Sequence, residues 1–82
     1  MDRVIISNNL AEVFRRVFNN STLVLRDDLT ANDVENWDSL SHMILISEVE
    51  NVFNIKFKLK ELNKMRNVGE MIDLIIQKVQ TV

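Results

Sequence analysis

Residues 37–53 read WDSLSHMILISEVENVF, and they combine a helix-capping residue with a periodic apolar pattern. Asp38 is a residue type favoured just before a helix, because its carboxylate accepts hydrogen bonds from free backbone N–H groups of the first turn and complements the helix dipole. Apolar residues then recur at the spacing of one helical face. The stretch therefore predicts a helix over roughly residues 39–53, with Asp38 as its cap and Ser39 in its first turn.

The same periodicity predicts helices at both ends of the chain. Apolar residues between Ile6 and Phe18 indicate a first helix over roughly residues 3–18. A last helix is expected from Val68, where Asn67 and Glu70 have the spacing of a capping box.

A shorter helix is expected between these elements. Leu59, Leu62 and Met65 have helical spacing, although Lys58 is a poor N-cap residue. The chain is therefore predicted to be all-α, as a small four-helix bundle of three main helices and one short helix.

A long loop, residues 19–38, separates the first two main helices. Structureless loops of this length in compact domains are usually functional or disordered. Four apolar residues argue for an ordered loop held across the helix ends, with a short helical turn within it: Leu23, Leu25, Leu29 and Val34.

Composition excludes several kinds of site. The 82 residues include no cysteine and only one histidine, His42, so we expect neither a disulfide framework nor a metal site. No apolar run approaches the roughly 20 residues of a membrane span, and no apolar signal-peptide core follows Arg3. We expect a monomeric, cytoplasmic protein.

The net charge of −2 is unevenly distributed. No lysine or arginine occurs in residues 27–50, which contain Asp27, Asp28, Asp33, Glu35, Asp38, Glu48 and Glu50. From residue 56 onward, basic residues outnumber acidic ones. The acidic half is expected to attract basic partners and to repel nucleic acid, whose binding requires a cationic surface.

The helix predicted from Ser39 has two faces when its successive residues are placed about 100° apart around the helix axis. The core face is expected to comprise His42, Leu45, Ile46, Val49, Val52 and Phe53. The opposite face, here called the docking strip, comprises Leu40, Met43, Ile44, Ser47 and Asn51. Exposed aliphatic and methionine side chains suit binding to several partners. Alternatively, the long loop buries part of the strip.

Ser39 invites two interpretations. His42 follows it by three residues and Asp38 precedes it, which is a possible nucleophile and base arrangement. No strand-to-helix elbow, second histidine or oxyanion element accompanies them, so we expect no catalytic residues. We expect Ser39 to be modified by another enzyme instead, and a phosphate ester there would be stabilised by the helix N-terminus.

Three segments together resemble the acyl carrier proteins: Asp38-Ser39-Leu40, the run from Glu48 to Ile55, and residues 67–70 at the start of the last helix. Members of that family are small four-helix domains that carry 4'-phosphopantetheine on the serine of an Asp-Ser-Leu motif. The resemblance implies one such domain over residues 1–82, with Ser39 as the covalent attachment site. The thiol of the arm would hold an acyl group as a thioester and present it to partner enzymes.

The resemblance also implies partners. These would be a phosphopantetheinyl transferase that uses coenzyme A and Mg²⁺, an acyl-loading ligase or synthase, and a downstream acyltransferase. Their basic patches would engage Glu48, beside the docking strip, and the loop acids. Trp37, Ser41, Ile44 and Asn51 depart from the residues usual in fatty-acid carriers. We therefore expect a specialised carrier in a dedicated pathway such as secondary metabolism.

Two alternatives stay open. An aminoacyl or peptidyl carrier has the same fold, but Asp38 and Leu40 favour an acyl cargo. An unmodified helical interaction module would use the docking strip alone and would tolerate Ser39→Ala.

Overall fold

Helices form all the regular structure of the described residues. The computed structural model describes residues 2–80, except for the side chain of Gln80. It contains α1 (Arg3–Val17), α2 (Ser39–Phe53), α3 (Leu59–Leu62) and α4 (Val68–Gln80). A 3₁₀ turn at Ala31–Asp33 lies in the long loop. The predicted all-α, four-helix fold is confirmed.

Local hydrogen bonds define where α1 begins and ends. Asp2 precedes it and accepts a hydrogen bond on Oδ1 from the backbone N of Val4 at 3.2 Å. At the other end, the backbone N of Phe18 donates to the carbonyl of Phe14, and Asn19 has a positive φ of 51°. The left-handed backbone at Asn19 stops the helix one residue before the predicted end.

One hydrophobic core joins α1, α2 and α4, since α1 packs against both of the others. The side chains with the least exposure are Ile6, Leu10, Val13, Phe14, Leu45, Val49, Val68, Met71, Ile72 and Ile75. In residues 2–80, no helix is long and apolar enough to cross a membrane.

The core face of α2 is narrower than predicted. Leu45, Ile46, Val49 and Phe53 are buried, but the side chain of Val52 is 45% exposed. At about 100° per residue, Val52 lies only about 20° from buried Leu45, so its direction around the helix does not explain its exposure. Val52 lies two turns further along, in the last turn of α2, where the packing differs. The placement of Val52 in the core was wrong.

The long loop is ordered, as predicted. Leu29 and Val34 are buried, and two further leucines pack against the core. The loop also bonds to α4, because the backbone N of Val68 donates to the carbonyl of Leu29 and that of Gly69 to the carbonyl of Asp27, both at 2.9 Å. These contacts satisfy N–H groups that a helix N-terminus leaves free.

The short helix α3 spans fewer residues than the predicted apolar spacing suggested. Leu59 and Leu62 lie within it, whereas Met65 is buried three residues beyond its end. Lys58 supplies no side-chain cap, as expected, but its backbone N donates to Glu61 Oε1 at 2.7 Å. At the start of α4, Asn67 Oδ1 accepts a hydrogen bond from the backbone N of Glu70 at 2.8 Å, which confirms the Asn67 half of the predicted capping box. The Glu70 side chain does not complete the box, because its Oε1 lies 3.3 Å from Arg66 Nε instead.

Candidate functional site

Asp38 and Ser41 position Ser39 by closing the first turn of α2. Asp38 Oδ1 accepts a hydrogen bond from the backbone N of Ser41 at 2.9 Å, and Ser41 Oγ accepts one from the backbone N of Asp38 at 2.8 Å. Ser41 Oγ also donates to the carbonyl of Asn36 at 2.7 Å. The predicted cap is confirmed, and the reciprocal contact from Ser41 is an addition. A polar residue three positions after a cap is the sequence signal for it.

The bond from the Ser41 backbone N is also the main reason why the pKa of the Asp38 carboxyl lies below its usual value. Asp38 is therefore a carboxylate at neutral pH and cannot supply a proton to Ser39.

Ser39 is the first residue of α2, and its side chain is exposed. It borders a cleft of about 600 Å³. One side of the cleft is formed by the end of the long loop and the start of α2, and the other by α3 and the residues after it. The lining includes Trp37, His42 and Met43 on the first side and Leu59, Leu62 and Arg66 on the second. A serine hydroxyl at the rim of such a cleft is accessible to another enzyme.

Trp37 connects the site to the core. Its ring is buried, contacts the edge of Phe14 at a centroid distance of 5.2 Å and packs against Phe18 at 5.8 Å. On the cleft side it stacks on His42 at 5.9 Å, with 19° between the ring planes. Aromatic contacts of this kind stabilise a fixed ring orientation.

His42 is half-buried in the cleft wall, as predicted. Trp37 Nε1 donates a hydrogen bond to His42 Nδ1 at 3.0 Å, and burial lowers the pKa of the imidazole. When a histidine serves as the base for a serine nucleophile, its Nδ1–H donates a hydrogen bond to a carboxylate. In this protein Nδ1 instead accepts a hydrogen bond from the indole N–H of Trp37. Within residues 2–80 no hydrogen bond joins His42 to Ser39 or to Asp38. The arrangement does not activate Ser39 as a nucleophile.

The docking strip is exposed along α2. Its hydrophobic members Leu40, Met43 and Ile44 are 75%, 53% and 51% exposed, and Ser47 and Asn51 are also exposed. The long loop does not bury them. Whether partners bind there stays a prediction.

The carboxylates of α2 are engaged within the protein. Glu48 Oε2 lies 3.0 Å from Arg16 Nη2 on α1. Glu50 accepts a hydrogen bond from the backbone N of Phe57 at 2.9 Å and lies 4.0 Å from Lys56 Nζ. Glu48 keeps 39% of its side-chain surface exposed beside the docking strip, so its contact with partners stays a prediction.

Comparisons with known proteins support one family. No protein-family model matches the chain, and no curated protein matches it. Among solved structures, the chain is similar to the holo acyl carrier protein from Geobacter metallireducens, determined by solution NMR. The two share 44% sequence identity over 90% of this chain and 85% of the other, with a TM-score of 0.86. The chain therefore belongs to the acyl carrier protein family, whose members carry groups for other enzymes and are not enzymes themselves.

Proposed function

We propose that this protein carries an acyl group as a thioester on a 4'-phosphopantetheine arm attached to Ser39. The observation that carries the proposal is the exposed Ser39 hydroxyl at the N-terminus of α2, beside a cleft and after an ordered cap. The similar chain from Geobacter metallireducens is a holo acyl carrier protein, which supports the same modification here.

The residues around Ser39 fit the arm. Its phosphate would lie at the start of a helix of 15 residues, where the dipole favours an anion. The cleft offers apolar contacts from Leu59 and Leu62 and polar ones from Asn63 and Arg66. An arm with both methylene and amide groups suits this mixed lining. The group would supply the thiol that forms the thioester, which this cysteine-free chain lacks.

A phosphopantetheinyl transferase would perform the modification. The Ser39 Oγ–H proton would pass to a base of the transferase, and Oγ would form a bond to the phosphorus that carries pantetheine in coenzyme A. The phosphoanhydride bond would break, and the adenosine bisphosphate part would leave. Because His42 Nδ1 is occupied by Trp37, this chain does not provide the base. The Mg²⁺ would belong to the transferase.

Partner enzymes would bind the docking strip mainly through apolar contacts. Four large hydrophobic side chains on α2 are exposed: Leu40, Met43, Ile44 and Val52. Glu48 is bound to Arg16, so the basic patch of a partner would have to compete with an internal ion pair. The proposed partners are a loading ligase or synthase and a downstream acyltransferase, in a specialised pathway. The single domain, the monomeric state and the cytoplasmic location expected from the sequence stay predictions.

Intact-protein mass spectrometry tests the proposal. The wild type, Ser39→Ala and Ser21→Ala would each be incubated with coenzyme A, Mg²⁺ and a broad-specificity phosphopantetheinyl transferase. Ser21 is a matched control, because it is also an exposed serine but lies outside the docking strip and the cleft. We expect one phosphopantetheinyl addition in the wild type and in Ser21→Ala, and none in Ser39→Ala. No addition with several transferases would overturn the proposal and favour an unmodified interaction module.

Loading assays on the modified protein then separate the two kinds of cargo. Acylation by an acyl-loading enzyme but not by an amino-acid-activating one supports the acyl carrier. The opposite result would identify an aminoacyl or peptidyl carrier.

A further inference from the structure

His42 lies next to the modification site on the same side of α2. It follows Ser39 by three residues, and side chains at this spacing are neighbours on a helix, with Cβ atoms about 5–6 Å apart. Both side chains line the cleft. A group attached to Ser39 Oγ therefore begins within reach of the imidazole.

Trp37 determines which imidazole nitrogen carries the proton. Its Nε1–H donates to His42 Nδ1 at 3.0 Å, so Nδ1 is the acceptor and the neutral ring has its proton on Nε2. Stacking of the two rings and burial of Trp37 against Phe14 hold the imidazole in this orientation. The result is a preorganised Nε2–H donor.

Nε2 of His42 is accessible to solvent, and His42 is part of the cleft lining. Within residues 2–80 it has no hydrogen-bond partner, and no fully buried side-chain nitrogen or oxygen lacks one, so Nε2 must be accessible. The charged side chains that line the same cleft are Asp38 and Arg66. Asp38 bonds to the backbone N of Ser41 at 2.9 Å, and Arg66 Nε lies 3.3 Å from Glu70. No described residue satisfies this donor.

We propose that His42 is a positioning residue for the arm, and that its Nε2–H donates a hydrogen bond to a non-bridging phosphate oxygen of phosphopantetheine on Ser39. This inference rests on the proposed function. The phosphorus is bonded directly to Ser39 Oγ, so its oxygens are the first acceptors that the imidazole meets. The hydrogen bond directs the arm into the cleft instead of into solvent.

The contact has a specific electrostatic consequence. In the unmodified protein, burial lowers the pKa of His42. A phosphodiester anion against Nε2–H favours the charged imidazolium, so modification raises this pKa. The phosphodiester itself gains no proton between pH 5 and 8, so any change of its signal in that range reports a neighbour.

Nuclear magnetic resonance on the modified protein tests the inference. We expect the ³¹P signal of the phosphodiester in the wild type to shift with pH, with the same midpoint as the His42 ring. In His42→Gln the ³¹P signal should not change between pH 5 and 8. Lys64→Gln is the control, since it removes an exposed cation that does not line the cleft and should leave the ³¹P titration intact.

Three results would overturn the inference. A wild-type ³¹P signal that stays constant while His42 titrates, or an unchanged titration in His42→Gln, overturns the inference. A His42 pKa that does not rise on modification overturns it as well. These results differ from failure of the proposed function, which mass spectrometry would show earlier as the absence of any addition to Ser39.

Discussion

Lys78 Nζ on α4 lies 2.7 Å from Glu61 Oε1 on α3, and both side chains are only 17% exposed. The same Glu61 oxygen accepts a hydrogen bond from the backbone N of Lys58 at 2.7 Å. The Lys78 ammonium is also 5.7 Å from the centroid of the Phe57 ring. One ion pair thus connects the end of α4 to the short helix that forms the far wall of the cleft.

Lys78→Met is expected to destabilise the protein by about 1–2 kcal/mol. This loss lies between the losses typical of breaking an exposed ion pair and of breaking a buried one. The hydrogen bond from Lys78 lowers the pKa of the Glu61 carboxyl. Because the Glu61 side chain is only 17% exposed, its carboxylate would lose this partner at a site where water replaces it only in part. Urea unfolding measures the loss. Arg26→Met breaks the exposed pair with Asp28 and should cost less than about 0.5 kcal/mol. Equal losses in the two variants would contradict this role of Lys78.

His42 should make stability depend on pH. Its pKa is lowered in the folded protein from the ordinary value of 6.5, so the unfolded chain binds the proton more readily. Stability is then fully present above about pH 7, and it falls as pH drops through 6.5 towards the lowered pKa of the folded state. Protonation of Nδ1 also breaks the bond from Trp37.

Urea unfolding followed by Trp37 fluorescence, at intervals from pH 5 to 7.5, measures this dependence. His42→Gln should remove most of the dependence of the unfolding free energy on pH in this range, because the chain has no other histidine. A wild type as insensitive to pH as the variant would disprove the prediction.

Gly69→Ala is expected to destabilise the protein, although alanine is the better helix former by about 1 kcal/mol. A Cβ at this position would lie 3.0 Å from the carbonyl oxygen of Asp27 and 3.1 Å from its Cβ. The added strain, about 1–3 kcal/mol for overpacking, should exceed the propensity gain. The loop would have to shift, which weakens the bond from the Gly69 backbone N to Asp27.

Thermal unfolding tests this prediction, with Asn8→Ala as control. Asn8 is exposed on α1, so alanine there should leave stability unchanged or slightly raise it. An increase in both variants would show that the loop adapts without cost.

Ile44 and Leu45 are neighbours in sequence but should respond differently to substitution. Leu45→Ala creates a core cavity and should cost about 2–5 kcal/mol. Ile44→Asp, on the docking strip, should cost less than about 1 kcal/mol but slow modification of Ser39 by the transferase. Urea unfolding and the rate of mass addition measure the two effects. A large stability loss in Ile44→Asp would place Ile44 in the core and refute the docking strip.

Most helix boundaries were predictable, because they depend on neighbouring residues. Asp38 caps α2 as expected, and Asn67 binds the first turn of α4. The two residues whose positions were predicted wrongly, Val52 and Met65, depend on contacts between elements. Val52 was expected in the core but is 45% exposed, and Met65 was expected in the short helix but is buried after α3 has ended.

Periodicity, capping and motif spacing are local properties, so the all-α class, the start of α2 at Ser39 and the family resemblance follow from the order of residues alone. The ion pair of Glu48 with Arg16 and the hydrogen bond that His42 accepts from Trp37 follow instead from the folded arrangement. Pairing of charges between helices depends on how the helices pack. The direction of an imidazole depends on the rings that surround it, and neither can be read from spacing along the chain.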